Sequence, residues 1–251
     1  MLTIDRQRAV LEYIQEHHSA TVTEMSKRFF ISETSIRRDL ARLEKAGLIR
    51  KTYGGAVLVD GNNEVLSLVA RQQVESESKI AIARKAAALV SNGQIIFMDS
   101  SSTVLSMVPF LSHLQNLSII TTSLKTAAML MDYPQLKVYI VGGLLNPRTF
   151  SISGSLTCQM LGDMYANMFF VSPRGVDESG TVFLTDEEEA ATRRMMMKHS
   201  NRNILLCSTS KLGQRSAFCM CNLQDINGIV CEAAPAPQWL ELFEKSELQV
   251  Y

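Results

Sequence analysis

The sequence predicts an α/β protein in two parts, an N-terminal winged helix-turn-helix followed by a larger domain built on a parallel sheet. Three observations carry that expectation. Three short amphipathic helices and a Gly-Gly hairpin fit within residues 1–59. Short apolar runs then alternate with helical stripes from about residue 80 to the end. The charge is also divided. The chain is neutral overall, with 25 Lys/Arg and 25 Asp/Glu, yet residues 1–57 hold ten Lys/Arg against seven Asp/Glu, a net of +3 that leaves −3 on the rest. A basic head on an acidic body points to an anionic partner for the head alone. The expected boundaries are 1–59 for the head, 60–75 for a linker around the polar run Asp60-Gly61-Asn62-Asn63, and 76–251 for the second domain.

In the head, Thr3 is a candidate N-cap for a helix whose stripe is Ile4, Val10, Leu11 and Ile14, running to about His17. Ser19 to Val22 reads as an extended link. Thr21 and Glu24 have capping-box spacing, with Thr23 as a second cap candidate. The short helix that follows should bury Met25 and either Phe29 or Phe30, and Ile31-Ser32 breaks it. A third helix is expected from about Glu33 to Ala46, with Ile36, Leu40 and Leu43 on its core face and Gly47 as its C′ residue. Leu48–Tyr53 and Ala56–Val59 around Gly54-Gly55 form a hairpin wing.

In the second domain the spacing predicts helices at 80–90, 105–111, 124–131, 156–164, 187–199 and 239–245. Strands are expected at 95–98, 117–121, 136–141, 168–171, 204–207, 226–231 and 248–251. Apolar strands alternating with helices mean a parallel sheet covered on its faces. Met195-Met196-Met197 reads as core filling.

Composition excludes several classes. With 46% apolar and 20% charged residues, the chain is not wholly disordered, collagen-like or a coiled-coil rod. Met1 to Arg8 is charged and lacks an apolar run, so no signal peptide is expected. No stretch of about 18 uncharged apolar residues occurs, so no membrane span is expected either. The five cysteines, at 158, 207, 219, 221 and 231, are odd in number and include no Cys-x-x-Cys pair beside a His cluster. They read as free thiols in a reducing cytoplasm; neither metal nor cofactor is expected.

Two constellations carry chemistry. In the third helix, Ser32, Thr34, Ser35, Arg37, Arg38 and Arg42 lie on or near the side opposite the core stripe. Short hydroxyls at a helix N-terminus allow close approach to base edges, and Arg can bridge guanine O6 and N7. Arg37 and Arg38 point about 100° apart, so at least one should face phosphate. In the wing, Lys51 adds charge, Tyr53 flanks the turn, and Gly54 and Gly55 let backbone amides approach a phosphate. The second constellation lies at expected strand ends, where ligands of parallel α/β sheets bind. These ends carry Asp99-Ser100-Ser101-Ser102-Thr103, then Thr121-Thr122-Ser123, then Gly142-Gly143 with Arg148 nearby, then Ser172-Pro173-Arg174-Gly175, and finally Ser208-Thr209-Ser210-Lys211. Hydroxyls, amides at helix N-termini and a lysine together suit a phosphorylated sugar or polyol.

The residues Ser32-Glu33-Thr34-Ser35-Ile36-Arg37-Arg38-Asp39-Leu40, Leu43 to Arg50 and Tyr53-Gly54-Gly55-Ala56 closely resemble the N-terminal signature of the DeoR family, bacterial transcriptional regulators that are mostly repressors of sugar metabolism. Tyr53 stands where many members have His. The resemblance continues across nearly the whole chain. It implies an effector domain that looks like ribose-5-phosphate isomerase in fold and binds phosphorylated sugars. The family's Asp-x-Gly-Thr-Thr matches Asp99 through Thr103, Thr-Asn-Ser matches Thr121 through Ser123, and Gly-Gly matches Gly142-Gly143. Its acidic-to-Lys helix pair matches Glu189 and Arg193, and Asp-x-Ser-Lys matches Ser208 through Lys211. Ser101, Thr122, Ser172, Arg193 and Ser208 depart from that pattern; a Cβ at 101 would restrict positive φ.

The function expected is sequence-specific binding of operator DNA by a homodimer or higher homo-oligomer, with repression relieved or imposed by a phosphorylated sugar or polyol. No catalytic residue is assigned. The competing expectations are a sugar-phosphate isomerase-like enzyme with an appended DNA-binding domain, for which Asp99 and Glu189 are the only tempting carboxylates, and a ligand-independent regulator or activator.

Overall fold

A computed structural model describes residues 3–17, 19–45, 48–58, 68–74 and 76–251. The chain divides into two compact units, Met1–Val74 and Glu75–Tyr251. The expected C′ residue Gly47 and most of the expected linker lie outside the described residues.

The first unit holds α1 (Thr3–His17), β1 (Ser19–Thr21), α2 (Val22–Phe29), α3 (Glu33–Lys45), β2 (Ile49–Thr52), β3 (Gly55–Leu58) and α4 (Leu68–Gln73). α4 falls within the segment read as linker, and Val74 packs on the head's apolar core. That core joins Val10, Leu11 and Ile14 to Met25, Ile36, Leu40, Leu43, Ile49 and Ala56. The capping box at α2 is present: Thr21 Oγ1 accepts from Glu24 N at 3.2 Å, and Thr21 N donates to Glu24 Oε2 at 2.8 Å. The expected extended link is a strand, because β3 supplies an antiparallel partner that local sequence cannot reveal, pairing Ser19 with Val57 and Thr21 with Gly55. Gly55 is required there: a Cβ would collide with the Ala20 carbonyl. Of the aromatic pair at the end of α2, Phe29 is half-buried, whereas Phe30 is 95% exposed and adopts φ 55°.

The second unit begins with α5 (Ser76–Ala87), β4 (Ile95–Met98), α6 (Ser102–Leu105), β5 (Ser118–Thr121), α7 (Leu124–Leu130), β6 (Lys137–Ile140), β7 (Leu144–Asn146) and β8 (Ser151–Ser153). It continues with α8 (Ser155–Leu161), β9 (Ala166–Val171), β10 (Gly175–Val176), β11 (Thr181–Leu184), α9 (Glu187–Lys198), β12 (Ser200–Leu206), β13 (Phe218–Asn222), β14 (Gly228–Val230), α10 (Pro237–Lys245) and β15 (Gln249–Val250). Seven strands form one sheet in the order β15-β14-β12-β9-β4-β5-β6, and every described pairing in it is parallel. Phe97, Phe169 and Phe170 are fully buried at its centre.

The single helix expected over 105–111 is instead two short pieces, α6 and a 3-10 turn at Val108–Leu111. Pro109 explains the break, since its ring would clash with the carbonyl four residues earlier, that of Leu105. The expected strand at 226–231 shortens to β14. Two small antiparallel sheets escape the periodicity reading, β7-β8 and β10-β11-β13.

The strand order places the ligand face. From β4 the chain proceeds outward through β5 and β6, then returns to the other side of β4 with β9 and proceeds outward again through β12, β14 and β15. β4 and β9 therefore flank the topological switch point, where the loops leaving the two strands diverge and open a crevice.

Candidate functional site

In the head, α3 presents two faces. Ile36, Asp39, Leu40 and Leu43 are buried, while Thr34, Arg37, Arg38 and Arg42 are exposed. Ser32 Oγ sits 3.4 Å from Ser35 N and 3.0 Å from Ser35 Oγ, which holds the first turn of α3. Arg37 pairs with Glu33 at 2.9 Å one turn back. Arg38 has no partner among the described residues. Lys51 pairs with Glu44 at 3.3 Å, and its backbone N–H donates to the same carboxylate at 2.8 Å, so the wing is tied to α3. Tyr53 is fully exposed at the wing tip, beside Gly54 at φ 99°. Gly54 O accepts from Val22 N at 2.8 Å, linking the wing tip to α2. The ten residues expected to meet DNA thus lie in one unit, on α3's first turns and exposed side and on the wing.

Sequence reasoning treated Asp39 only as a charge. It sits in the core stripe of α3, fully buried, and accepts from Arg6 Nε at 2.6 Å and Gln7 Nε2 at 3.1 Å. The signal was legible, since Asp39 falls in phase with Ile36, Leu40 and Leu43. Burial pushes its pKa up, but the bonds from Arg6 and Gln7 outweigh that and hold it below its ordinary value of 3.8. The unfolded chain therefore binds this proton more readily than the folded one. Its contribution is complete at neutral pH and is lost as pH falls below about 4 through the folded pKa. Acid titration followed by amide exchange in α1 and α3 should show the head loosening over that range, and Asp39→Asn should remove much of the pH dependence while lowering stability at neutral pH.

In the second unit, Asp99 follows directly after β4 and is fully buried. One oxygen accepts from Ser101 N at 2.8 Å, and the other from Ser172 N at 3.2 Å and Arg193 Nε at 3.0 Å. Asp99 thus bridges the loops leaving β4 and β9. Arg193, buried on α9, also donates to Glu189 Oε2 at 2.8 Å and Ser100 Oγ at 3.3 Å. Burial alone would depress the pKa of Arg193; Glu189 and Asp99 more than reverse this and keep the guanidinium charged. Glu189 Oε1 accepts from Ser151 Oγ at 2.6 Å, and Ser151 Oγ lies 2.6 Å from Thr149 Oγ1. Lys211 Nζ donates to Ser172 Oγ at 2.8 Å, which in turn donates to Thr103 Oγ1 at 3.3 Å. Asp99, Ser100, Ser101, Thr103, Glu189, Arg193 and Lys211 are therefore joined in one network through Ser172.

The remaining expected residues surround it less directly. Ser101 has φ −77°, and its side chain caps α6 by accepting from Val104 N at 3.2 Å. The loop needs no positive φ there, so serine in place of glycine costs no backbone strain. Ser102 is buried in the first turn of α6. Thr122 O accepts from Ile152 N at 2.7 Å, and Ser123 caps α7. Gly142 O accepts from Thr157 Oγ1 at 2.9 Å, while at Gly143, with φ 151°, a Cβ would collide with Thr157 Oγ1. Arg148 is exposed between β7 and β8. Arg174 is half-buried just beyond β9, and burial lowers its pKa.

A cleft of about 300 Å³ adjoins this network, lined by Leu144, Leu145, Asn146, Ser151, Ser153, Asp186, Glu188 and Glu189. Sequence reasoning missed Ser151 and Ser153 because a three-residue hairpin strand has too little pattern to place them, and Asp186 and Glu188 because acidic residues opening a helix look like ordinary caps. Asp186 caps α9, accepting from Glu189 N at 2.9 Å, and Glu188 accepts from Ser153 Oγ at 3.3 Å. No group of three or more His, Cys, Asp or Glu among the described residues is placed to hold a metal. The buried thiols of Cys221 and Cys231 are both pushed up by burial, the latter to about 12, which leaves them protonated and unreactive near neutral pH. No described helix is long and apolar enough to cross a membrane.

A winged head with an exposed basic helix, and a second unit built on a parallel sheet, are the parts of a DNA-binding regulator. The chain belongs to the DeoR family: residues 6–62 match the DeoR-like helix-turn-helix domain and residues 74–233 the DeoR C terminal sensor domain. The HTH-type transcriptional regulator GolR of Listeria innocua is 31% identical over 92% of this chain and 91% of its own length. The glycerol-3-phosphate regulon repressor of Escherichia coli is 25% identical over 100% and 99%. The L-fucose operon activator of Haemophilus influenzae is 28% identical over 89% and 90%. All three are named as regulators, and the chain is a transcriptional regulator rather than an enzyme. A ribose 5-phosphate isomerase from Methanocaldococcus jannaschii aligns with 55% of this chain and 54% of its own at a TM-score of 0.40 and 19% identity, a likeness that bears on no functional point.

Proposed function

We propose that this regulator is a repressor of a carbohydrate-utilisation operon in the cytoplasm, acting as a homodimer or higher oligomer and controlled by a phosphorylated sugar or polyol. One observation carries the reading: at a single switch point, the network of Asp99, Arg193 and Glu189 adjoins both a hydroxyl-and-lysine cluster and a cleft of acceptors. A phosphate would suit the loop from Ser100 to Thr103 with Lys211, where amides, hydroxyls and the Lys211 ammonium gather beside Arg193. Asp186 and Glu188 repel a phosphate from the cleft, so that side suits a hydroxylated carbon chain, with carboxylates accepting from its O–H groups. In the head, Ser32, Thr34, Ser35, Arg37, Arg38 and Arg42 would meet the major groove, with Lys51, Tyr53, Gly54 and Gly55 at the backbone.

The isomerase alternative is disfavoured because Asp99 is closed to solvent and held by Ser101, Ser172 and Arg193, and Glu189 is held by Arg193 and Ser151. A general base must lie within reach of the substrate proton. The activator relative leaves the sign of control to measurement.

The test has two arms. A thermal-shift screen of phosphorylated sugars and polyols should yield a ligand that raises the melting temperature. That ligand should change affinity for DNA from the protein's own promoter region, and by linkage the DNA must change ligand affinity by the same factor. DNA binding that is equal for any duplex, or unaffected by every stabilising ligand, would reject the proposal. Lys211→Ala should weaken the ligand response at least tenfold, through loss of a charge-assisted bond worth about 1.5–3 kcal/mol, and should leave operator affinity without ligand unchanged.

A further inference from the structure

Phe30 occupies a position that its own chemistry opposes. The turn between α2 and α3 is held by the backbone: Phe30 N–H donates to Ser26 O, Ile31 N donates to the same oxygen at 3.1 Å, and Ser26 Oγ donates to Ile31 O at 2.6 Å. None of these bonds uses the Phe30 side chain. The residue adopts φ 55° and ψ 44°, the left-handed conformation that glycine or asparagine takes without difficulty and a bulky side chain resists. Its ring is 95% exposed, so packing gives nothing back. The head folds around Met25 and Phe29 and has no use for a second aromatic here.

The position is also specific. Phe30 lies two residues before Ser32, which holds the first turn of α3. Two residues span at most about 7 Å of chain, so a duplex seated on the N-terminal turn of α3 lies within reach of the ring. Beside that turn, the major groove offers one apolar feature, the thymine 5-methyl group.

We propose that Phe30 is a specificity residue that contacts a thymine methyl at the edge of the groove read by α3. The proposal rests on the reading of the head as a sequence-specific DNA-binding unit. It explains why a strained aromatic stands where a glycine would serve the fold better: the ring's partner is on the DNA, and the strain is tolerated for the sake of that contact.

The test uses the full chain and an operator recovered by it from a randomised duplex pool. Phe30→Gly and Phe30→Asn should relieve the strain, slowing amide exchange in α2 and α3 by about 5- to 30-fold. The same variants should bind the operator about tenfold more weakly. Replacing thymines with deoxyuridine one at a time should weaken the native protein at one position in each half-site, and the glycine and asparagine variants should be indifferent to that replacement. Phe30→Leu, still apolar, should retain the sensitivity. Variants that match the native protein in affinity and in deoxyuridine profile would overturn the inference while leaving the DNA-binding reading intact. A changed oligomeric state with unchanged operator affinity would also overturn it, by assigning the ring to a protein contact. Failure of the native chain to enrich any operator would remove the DNA-binding reading itself, and the inference with it.

Discussion

Replacing Arg193 with methionine is expected to destabilise the second unit by about 3–5 kcal/mol, the cost of leaving a buried charge without its partner. Asp99 would keep its bonds from the amides of Ser101 and Ser172, but would lose the only cation that the described contacts place on it. Glu189 would lose the same guanidinium and retain Ser151. Two buried carboxylates would then lose the guanidinium that bridges them. A domain of this size loses about 2–4 °C of melting temperature per kcal/mol, so the transition should fall by roughly 6–20 °C. Arg193→Lys keeps the charge but cannot reach Asp99, Glu189 and Ser100 together in a forked geometry, and should lie between the two. Calorimetry of the full chain decides this; a shift under about 2 °C for the methionine variant would show that the network contributes little.

The second large effect concerns α3. Arg38→Ala should cost about 1–3 kcal/mol of operator binding if the guanidinium bridges a guanine, with relaxed discrimination at that base pair. If Arg38 meets a phosphate instead, affinity should fall across all sequences and the slope of log affinity against log salt should drop by about one. Arg37 is held by Glu33 at 2.9 Å and must leave that pair to reach DNA. An exposed pair one turn apart is worth about 0.3–0.5 kcal/mol, so its effect should be slightly smaller and Glu33→Ala should tighten binding slightly. Titrations at several salt concentrations separate these outcomes. Alanine variants at both positions that bind as tightly as the native protein would remove α3 from the interface.

Most of the head was readable because each signal is local. The Thr21–Glu24 box and the 36-40-43 stripe each lie within a few turns of chain. The buried Asp39 pair was overlooked because a charge in a core phase is read as a surface residue until its partner is known, and Arg6 lies 33 positions away. The parallel sheet was legible from alternating runs, but its order was not, since neighbouring strands such as β4 and β9 meet only through long-range pairing. The loops from Asp99 to Thr103 and at Lys211 were found by their composition. The hairpin that supplies Ser151 and Ser153 was missed, because three residues carry no period. Arg193 and Glu189 were identified through family resemblance, and their convergence on Asp99 follows from the tertiary fold.

The placement of β4 beside β9 has a kinetic consequence. Asp99 and Ser172 are 73 positions apart, so the middle of the sheet cannot zip up until the chain between them has been made and has looped back. Contacts of that span slow folding relative to contacts between near neighbours. Synthesis on the ribosome runs from the N-terminus, so the head leaves the exit tunnel while the crevice still lacks its far wall. A newly made chain should therefore complete its helix-turn-helix domain before its sensor domain.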